Sequence, residues 1–198
     1  MLWVMTTITL DWLTTQLATW QGCALAKNAK PVLGEGNPAA TIMFIGEAPG
    51  QKEDEMQRPF VGAAGKFLDE LLASIGLERP QVYISNVVKY RPPENRDPTP
   101  EEKEQCMPWL MLELALVRPR VIVPLGRHAL WHFFPELKIS DAHGRAFPLT
   151  ETITIFPIYH PAAALHSGGL RAALQSDFHK LHDFLVQAGI VERSAASH

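Results

Sequence analysis

Two cysteines, Cys23 and Cys106, are all that the 198-residue chain contains. That excludes a secreted fold stapled by disulfides and points to a reducing compartment. No apolar run approaches the ~20 residues of a membrane helix. The opening MLWVMTTITLDW has neither the basic stretch nor the cleavage site of a secretory leader. An excess of positive charge is missing too: 18 Lys and Arg stand against 21 Asp and Glu, a net of -3. This excludes a polycation but not DNA, because a local basic stripe suffices on an acidic protein. Linkers, repeats and low-complexity tracts are absent, and 46% hydrophobic with 20% charged residues describes a globular chain. Its length is that of one ordinary domain. The expectation is a single domain over 1–190 with a frayed tail over 191–198, a cytoplasmic monomer that meets no membrane. Proline, by contrast, is plentiful: sixteen residues exceed the usual ~5% share and imply shaped loops.

Strands and helices alternate. The periodicity predicts a helix over 9–19 with Leu10, Leu13 and Leu17 on one face, and another over 64–75 with Phe67, Leu68, Leu71, Leu72 and Ile75. Thr99, Pro100 and Glu102 form a helix start of the capping-box kind, leading to Val117 with a kink expected at Pro108. Further helices are predicted from Arg127 and over 170–187. The continuous apolar run at 41–45 reads as a strand buried on both faces, Val82-Tyr-Ile84 with Val87-Val88 as a second strand ending in Lys89, 121–125 as a third buried strand and 154–158 as a fourth. The fold class that follows is α/β, with a central four-stranded, mainly parallel sheet and helices on both faces.

In such sheets ligands bind outside the carboxyl ends of the strands. Three strands end in polar, proline-bearing segments: Gly46-Glu-Ala-Pro-Gly50, Asn86-Val-Val-Lys-Tyr-Arg-Pro-Pro93 and Tyr159-His-Pro161. All three should open on one rim. Glu47, directly after a buried strand, needs a partner or a task. Asn86 offers both donors and an acceptor, suited to the edge of a base or to bracing the strand. Phe60, between Pro59 and Val61-Gly62, reads as a core plug or as a stacking platform for a base. His160 sits in a Pro-fixed turn where structural and functional roles are equally open. Lys89, Arg91 and Arg96 cluster in one loop, and Arg145, Arg171 and Lys180 lie further on; each is solvated charge or part of a basic rim. The glycine-hinged segment 162–171 is an ordinary loop or a wedge for a base stack. Zinc-hydrolase signatures and a Ser-His-Asp order are absent.

Together the stretches GEGNPAATIMFIGEAPG (34–50), EDEMQRPFVGAAGKFLDELL (53–72), YISNVVKYRPPENRDPTPEE (83–102), CMPWL (106–110) and YHPAAAL (159–165) resemble the family 4, iron–sulfur type, uracil-DNA glycosylases. The resemblance implies an enzyme that flips uracil from single- or double-stranded DNA into a pocket and hydrolyses its N-glycosidic bond, leaving an abasic site for base-excision repair. It implies catalytic roles for Glu47, Asn86 and His160, and a uracil pocket of Glu47, Ala48, Phe60, Asn86 and His160. It also implies DNA contacts from Lys89, Arg91, Leu165 and Arg171, and a bacterial-type protein held on the nucleoid by its substrate. Ala48 stands where better-known members of the superfamily carry a water-activating aspartate. Other readings are a non-catalytic binder of uracil-containing or damaged DNA, and a glycosylase for hypoxanthine or xanthine.

Family members of this type hold a [4Fe-4S] cluster on four cysteines. The matching positions here read Trp20, Cys23, Tyr90 and Cys106, so two ligands remain of the four such a cluster takes. The expectation is a protein without the cluster and without any cofactor, Trp20 and Tyr90 filling the volume with aromatic packing.

Overall fold

The computed structural model describes residues 8–165 and 167–192. In order the chain forms α1 (Leu10–Thr19), β1 (Glu35–Gly36), β2 (Ile42–Gly46), α2 (Gln51–Met56), α3 (Ala63–Ser74), β3 (Tyr83–Asn86) and α4 (Pro100–Val117). It continues with β4 (Val121–Pro124), α5 (Arg127–Trp131), α6 (Ile139–Ala142), β5 (Phe147–Pro148), β6 (Thr154–Ile155) and α7 (Gly168–Gln187). The sheet order is β1-β3-β2-β4-β6-β5. Its four inner strands are parallel, while the outer two are antiparallel two-residue strips. The expected four-stranded parallel sheet is thus the centre of a six-stranded mixed one. The edge strips are too short to show an alternation, and short edges protect a sheet from further pairing. Most of the tail expected over 191–198 lies outside the described residues.

Alternate residues of β2 face opposite ways, as the pleat requires. Met43 and Ile45 pack with Leu13 and Leu17 of α1, Trp109 and Leu110 of α4, and Leu130 of α5. Ile42 and Phe44 pack with Phe67, Leu68 and Leu72 of α3 and with Leu174, Phe178 and Leu181 of α7. Both faces are therefore covered, which is why the inner strands are apolar throughout.

The helix starts follow their local chemistry. Thr9 caps α1 by accepting from the Trp12 amide at 3.1 Å. Thr99 and Glu102 form the reciprocal box of α4, at 3.3 and 2.8 Å. That helix runs through Pro108 as one element, the missing amide removing a single rung. α2 buries none of its residues and so carries no apolar period for the sequence to show. β3 ends at Asn86, three residues short of the expected Lys89. The chain stays attached beyond it, with the Val87 and Val88 amides donating to the Gly46 and Glu47 carbonyls at 3.0 and 2.9 Å.

Candidate active site

Because β2, β3, β4 and β6 run parallel, the segments that follow them emerge on one rim. There they enclose a cleft of about 310 Å³ whose walls include Glu47, Ala48, Pro49, Phe60, Asn86, Asp97 and His160. Sequence reasoning brought Glu47, Ala48, Phe60, Asn86 and His160 to this rim, and the structure assembles all five. The packing is close enough to dictate residue type. A Cβ at Gly46 would collide with Asn86 Oδ1 and the Phe60 ring. One at Gly65 would collide with the Phe60 carbonyl.

Phe60 is held in a left-handed conformation, φ 52°, uncommon for a bulky side chain. Two groups absent from the sequence reading keep it there. Arg79 donates to the Pro59 and Phe60 carbonyls at 2.6 and 2.8 Å. Glu53 accepts from the Val61 and Gly62 amides at 2.8 and 2.7 Å and from the Gly50 amide at 3.2 Å, tying the loops after β2 together. The Phe60 ring lies 5.6 Å, centroid to centroid, from that of His160.

His160 opens a 3-10 turn at Pro161–Ala164, and its Nδ1 accepts from the Ala162 amide at 3.1 Å. Burial pushes its pKa down to about 4, against a raising influence of Glu53. The ring is therefore neutral at physiological pH, with its proton on Nε2, a donor without the charge of an imidazolium. Asn86 is 2% exposed, and its Oδ1 is buried with no hydrogen-bond partner. Such an orphaned acceptor is costly unless something else supplies the donor.

Glu47 Oε1 is likewise buried without a partner. Burial, then repulsion from Asp97, pushes the Glu47 carboxyl up to about 7, against Lys103 and Arg127. Asp97, Lys103 and His128 escaped the sequence reading. The signal was present: β4 also points at this rim, so Gly126-Arg127-His128 belongs beside the other three loops. Folding carries Glu47 into a place where its charge is poorly solvated, so stability falls as pH rises from 4.5 through about 7. Glu47→Gln removes that cost. It is expected to raise the melting temperature at pH 8 by about a few degrees, with the gain closing below pH 5. Equal melting of the two proteins at pH 8 would contradict this origin of the shift.

The basic rim needs correction. Lys89 has a side chain with 0% exposure and is ion-paired to the equally buried Glu113, so it reaches no phosphate. Its Nζ also donates to Ser85 Oγ at 2.8 Å and to the Asn86 carbonyl at 2.7 Å, while Glu113 accepts from Ser85 Oγ at 2.8 Å. Several surface cations are paired as well. Arg96 binds Glu102 through two bonds, Lys180 meets Asp177 at 3.3 Å and Arg127 meets Asp97 at 3.0 Å. Arg171 bonds Glu70 at 2.8 Å while its guanidinium lies 4.1 Å over the Phe67 ring. Arg91 donates to Asn95 at 2.8 Å. Leu165 follows the His160 turn and is 39% exposed. Residue 166 of the expected wedge segment lies outside the described residues.

The four positions that match cluster ligands come together but do not fit a four-iron cluster. Trp20 stacks on Tyr90 at 6.1 Å and meets Trp109 edge-on at 5.5 Å. The Tyr90 hydroxyl donates to the Leu17 and Trp20 carbonyls at 3.1 and 3.0 Å. Cys23 and Cys106 are free and buried, and burial pushes the Cys106 thiol up to about 12. Two thiols, one of them disfavoured as thiolate, fall short of the four thiolates required.

Comparison with known proteins gives a consistent picture. Residues 33–181 match the family described as the Uracil DNA glycosylase superfamily. A Type-4 uracil-DNA glycosylase of Sulfurisphaera tokodaii is 46% identical over 168 residues, 80% of this chain and 76% of the relative. One from Archaeoglobus fulgidus is 46% identical over 181 residues, 87% of this chain and 91% of the relative. A Type-5 uracil-DNA glycosylase of Thermus thermophilus is 36% identical over 67% of this chain and 69% of the relative.

Proposed function

The chain belongs to the uracil DNA glycosylase superfamily, and from that premise we propose that it is a uracil-DNA glycosylase working without an iron–sulfur cluster. The observation that carries this reading is one cleft bringing together a neutral imidazole donor, an orphaned buried amide oxygen and a carboxylate of raised pKa. Uracil complements that set. Its ring N–H supplies the donor that Asn86 Oδ1 lacks, and a ring carbonyl accepts from His160 Nε2. The base cannot be reached inside a duplex, so the nucleotide turns out of the stack into the cleft. Phe60 stacks on it there, while Leu165 fills the space left behind.

As the C1′–N1 bond breaks, its electron pair moves onto the base, and negative charge spreads to the carbonyl that His160 meets. A preorganised donor at that point stabilises the transition state more than the substrate. The ionised Glu47 carboxylate orients the attacking water and opposes the positive charge developing on the sugar. Ala48, which has no proton acceptor, leaves this to Glu47. Arg91 and Arg171 contact phosphates, Arg171 after exchanging Glu70 for DNA. The protein acts as a cytoplasmic monomer. No helix among the described residues is long and apolar enough to cross a membrane.

The test is a uracil-bearing oligonucleotide followed by alkaline cleavage of abasic sites, single- and double-stranded, over a range of salt. Strand scission only where uracil stood supports the reading, with marked loss at high salt. Tight binding with no scission favours the non-catalytic binder, and release only from hypoxanthine or xanthine shifts the substrate. For the cluster, the active protein is expected to be colourless, with iron far below four atoms per chain. A brown preparation with stoichiometric iron would overturn that part alone.

A further inference from the structure

The first turn of α5 places one imidazole between two carboxyl groups. His128 Nδ1 lies 3.5 Å from Glu47 Oε1, and His128 Nε2 lies 3.1 Å from Asp97 Oδ2. The side chains differ in access: Glu47 is 20% exposed and Asp97 60%. The ring thus stands between the cleft carboxyl, whose Oε1 makes no hydrogen bond, and a carboxylate at the surface. We propose that His128 and Asp97 are positioning residues for Glu47: Asp97 holds the ring through Nε2, and Nδ1 faces Glu47 as an acceptor, a bridge that closes when the Glu47 carboxyl carries a proton and that governs when it does. This deepens the glycosylase reading and rests on it for its consequence in catalysis.

The electrostatics of the bridge are balanced by two cations. From α4, Lys103 Nζ lies 3.1 Å from His128 Nδ1 and 3.9 Å from Glu47 Oε1. From α5, Arg127 Nε lies 2.9 Å from His128 Nε2, and its Nη2 donates to Asp97 at 3.0 Å. Burial and the two cations hold the His128 pKa below the usual imidazole value, against Asp97, which disfavours a charged ring beside Glu47. Across the cleft, Glu53 of α2 is engaged by three backbone amides, and His160 is neutral as described. The charges that act on Glu47 are therefore Asp97 on one side and Lys103, then Arg127, on the other. Asp97 repels its ionised form and Lys103 attracts it.

The sign follows. Glu47 acts ionised, whether it orients water or faces the sugar cation, so single-turnover release rises with pH through its midpoint. Asp97→Asn removes a repelling charge and moves that acid limb to lower pH. Lys103→Met removes an attracting charge and moves it to higher pH. His128→Phe removes the ring against which Glu47 rests and lowers the plateau by about tenfold, short of the ~10²–10⁴-fold that an acid or base itself contributes. A purely structural role would lower the plateau in all three variants without moving the limb in opposite directions.

The experiment combines pH profiles of single-turnover uracil release with carbon NMR titration of the Glu47 carboxyl, for wild type and the three variants. Thermal melts establish that each is folded. Opposite displacements in Asp97→Asn and Lys103→Met, seen in both measurements, support the bridge. A Glu47 titration unmoved by either substitution overturns it. The NMR arm needs no substrate, so a wild type inactive on uracil defeats the glycosylase reading, while the Glu47 titration still decides whether the bridge exists.

Discussion

His160→Ala is expected to slow single-turnover uracil release by about 10²–10³-fold, the usual cost of removing one donor from an oxyanion site. The binding of uracil-containing DNA should change far less, because the interaction strengthens only as charge moves onto the base. The geometry explains the size of the effect. The Ala162 amide occupies Nδ1 at 3.1 Å, so the proton is confined to Nε2 and the ring needs no reorganisation as the bond breaks. With its pKa pushed down to about 4, the ring donates without becoming a cation across the pH range of the cell. His160→Gln keeps a donor of similar reach and should recover part of the rate. If His160→Ala slows release less than tenfold, the developing charge is stabilised elsewhere.

Lys89→Ala is expected to destabilise the fold by about 3–5 kcal/mol, the usual cost of leaving a buried charge without its partner. For a chain of this size that lowers the melting temperature by roughly 10 °C. Glu113 would keep the Gly34 amide and the Tyr83 and Ser85 hydroxyls, but not a countercharge. Loss of the Lys89 bond to the Asn86 carbonyl, 2.7 Å, also frees the strand end that presents Asn86. Release should fall even at temperatures where the variant is folded. The double variant Lys89→Met, Glu113→Gln should recover stability relative to Lys89→Met, since neither charge is then stranded. Should Lys89→Ala melt like wild type while its DNA binding becomes less salt-dependent, Lys89 would be a phosphate contact after all.

That contrast shows where sequence reasoning stops. Lys89 sits in a loop with Arg91 and Arg96, and composition there reads as basic surface. Only the placement of Glu113, twenty-four residues away in the chain, turns it inward. Trp20 and Tyr90 show the opposite case. Trp20 cannot ligate iron and Tyr90 is an uncommon ligand for such a cluster, and the structure adds how the rings stack and where the Tyr90 hydroxyl bonds. His128 was legible in principle, since it follows a strand parallel to the others. Nothing local distinguishes it, however, from any histidine in a first helical turn.

By itself, the sequence determined the α/β class, the four parallel inner strands, most long helices and the rim on which Glu47, Phe60, Asn86 and His160 meet. These follow from short-range physics: apolar runs demand cover on both faces, caps begin helices, and parallel strands align their carboxyl ends. The tertiary structure alone decided which charges are buried, which are paired across the surface, and which polar atoms are left waiting for a ligand. Those depend on distances between residues far apart in the chain, and on the solvent each loses on packing. The scarcity of cysteine belongs to both. The sequence leaves two of the four cysteines at the positions that match cluster ligands, and the structure places stacked aromatic rings at the other two.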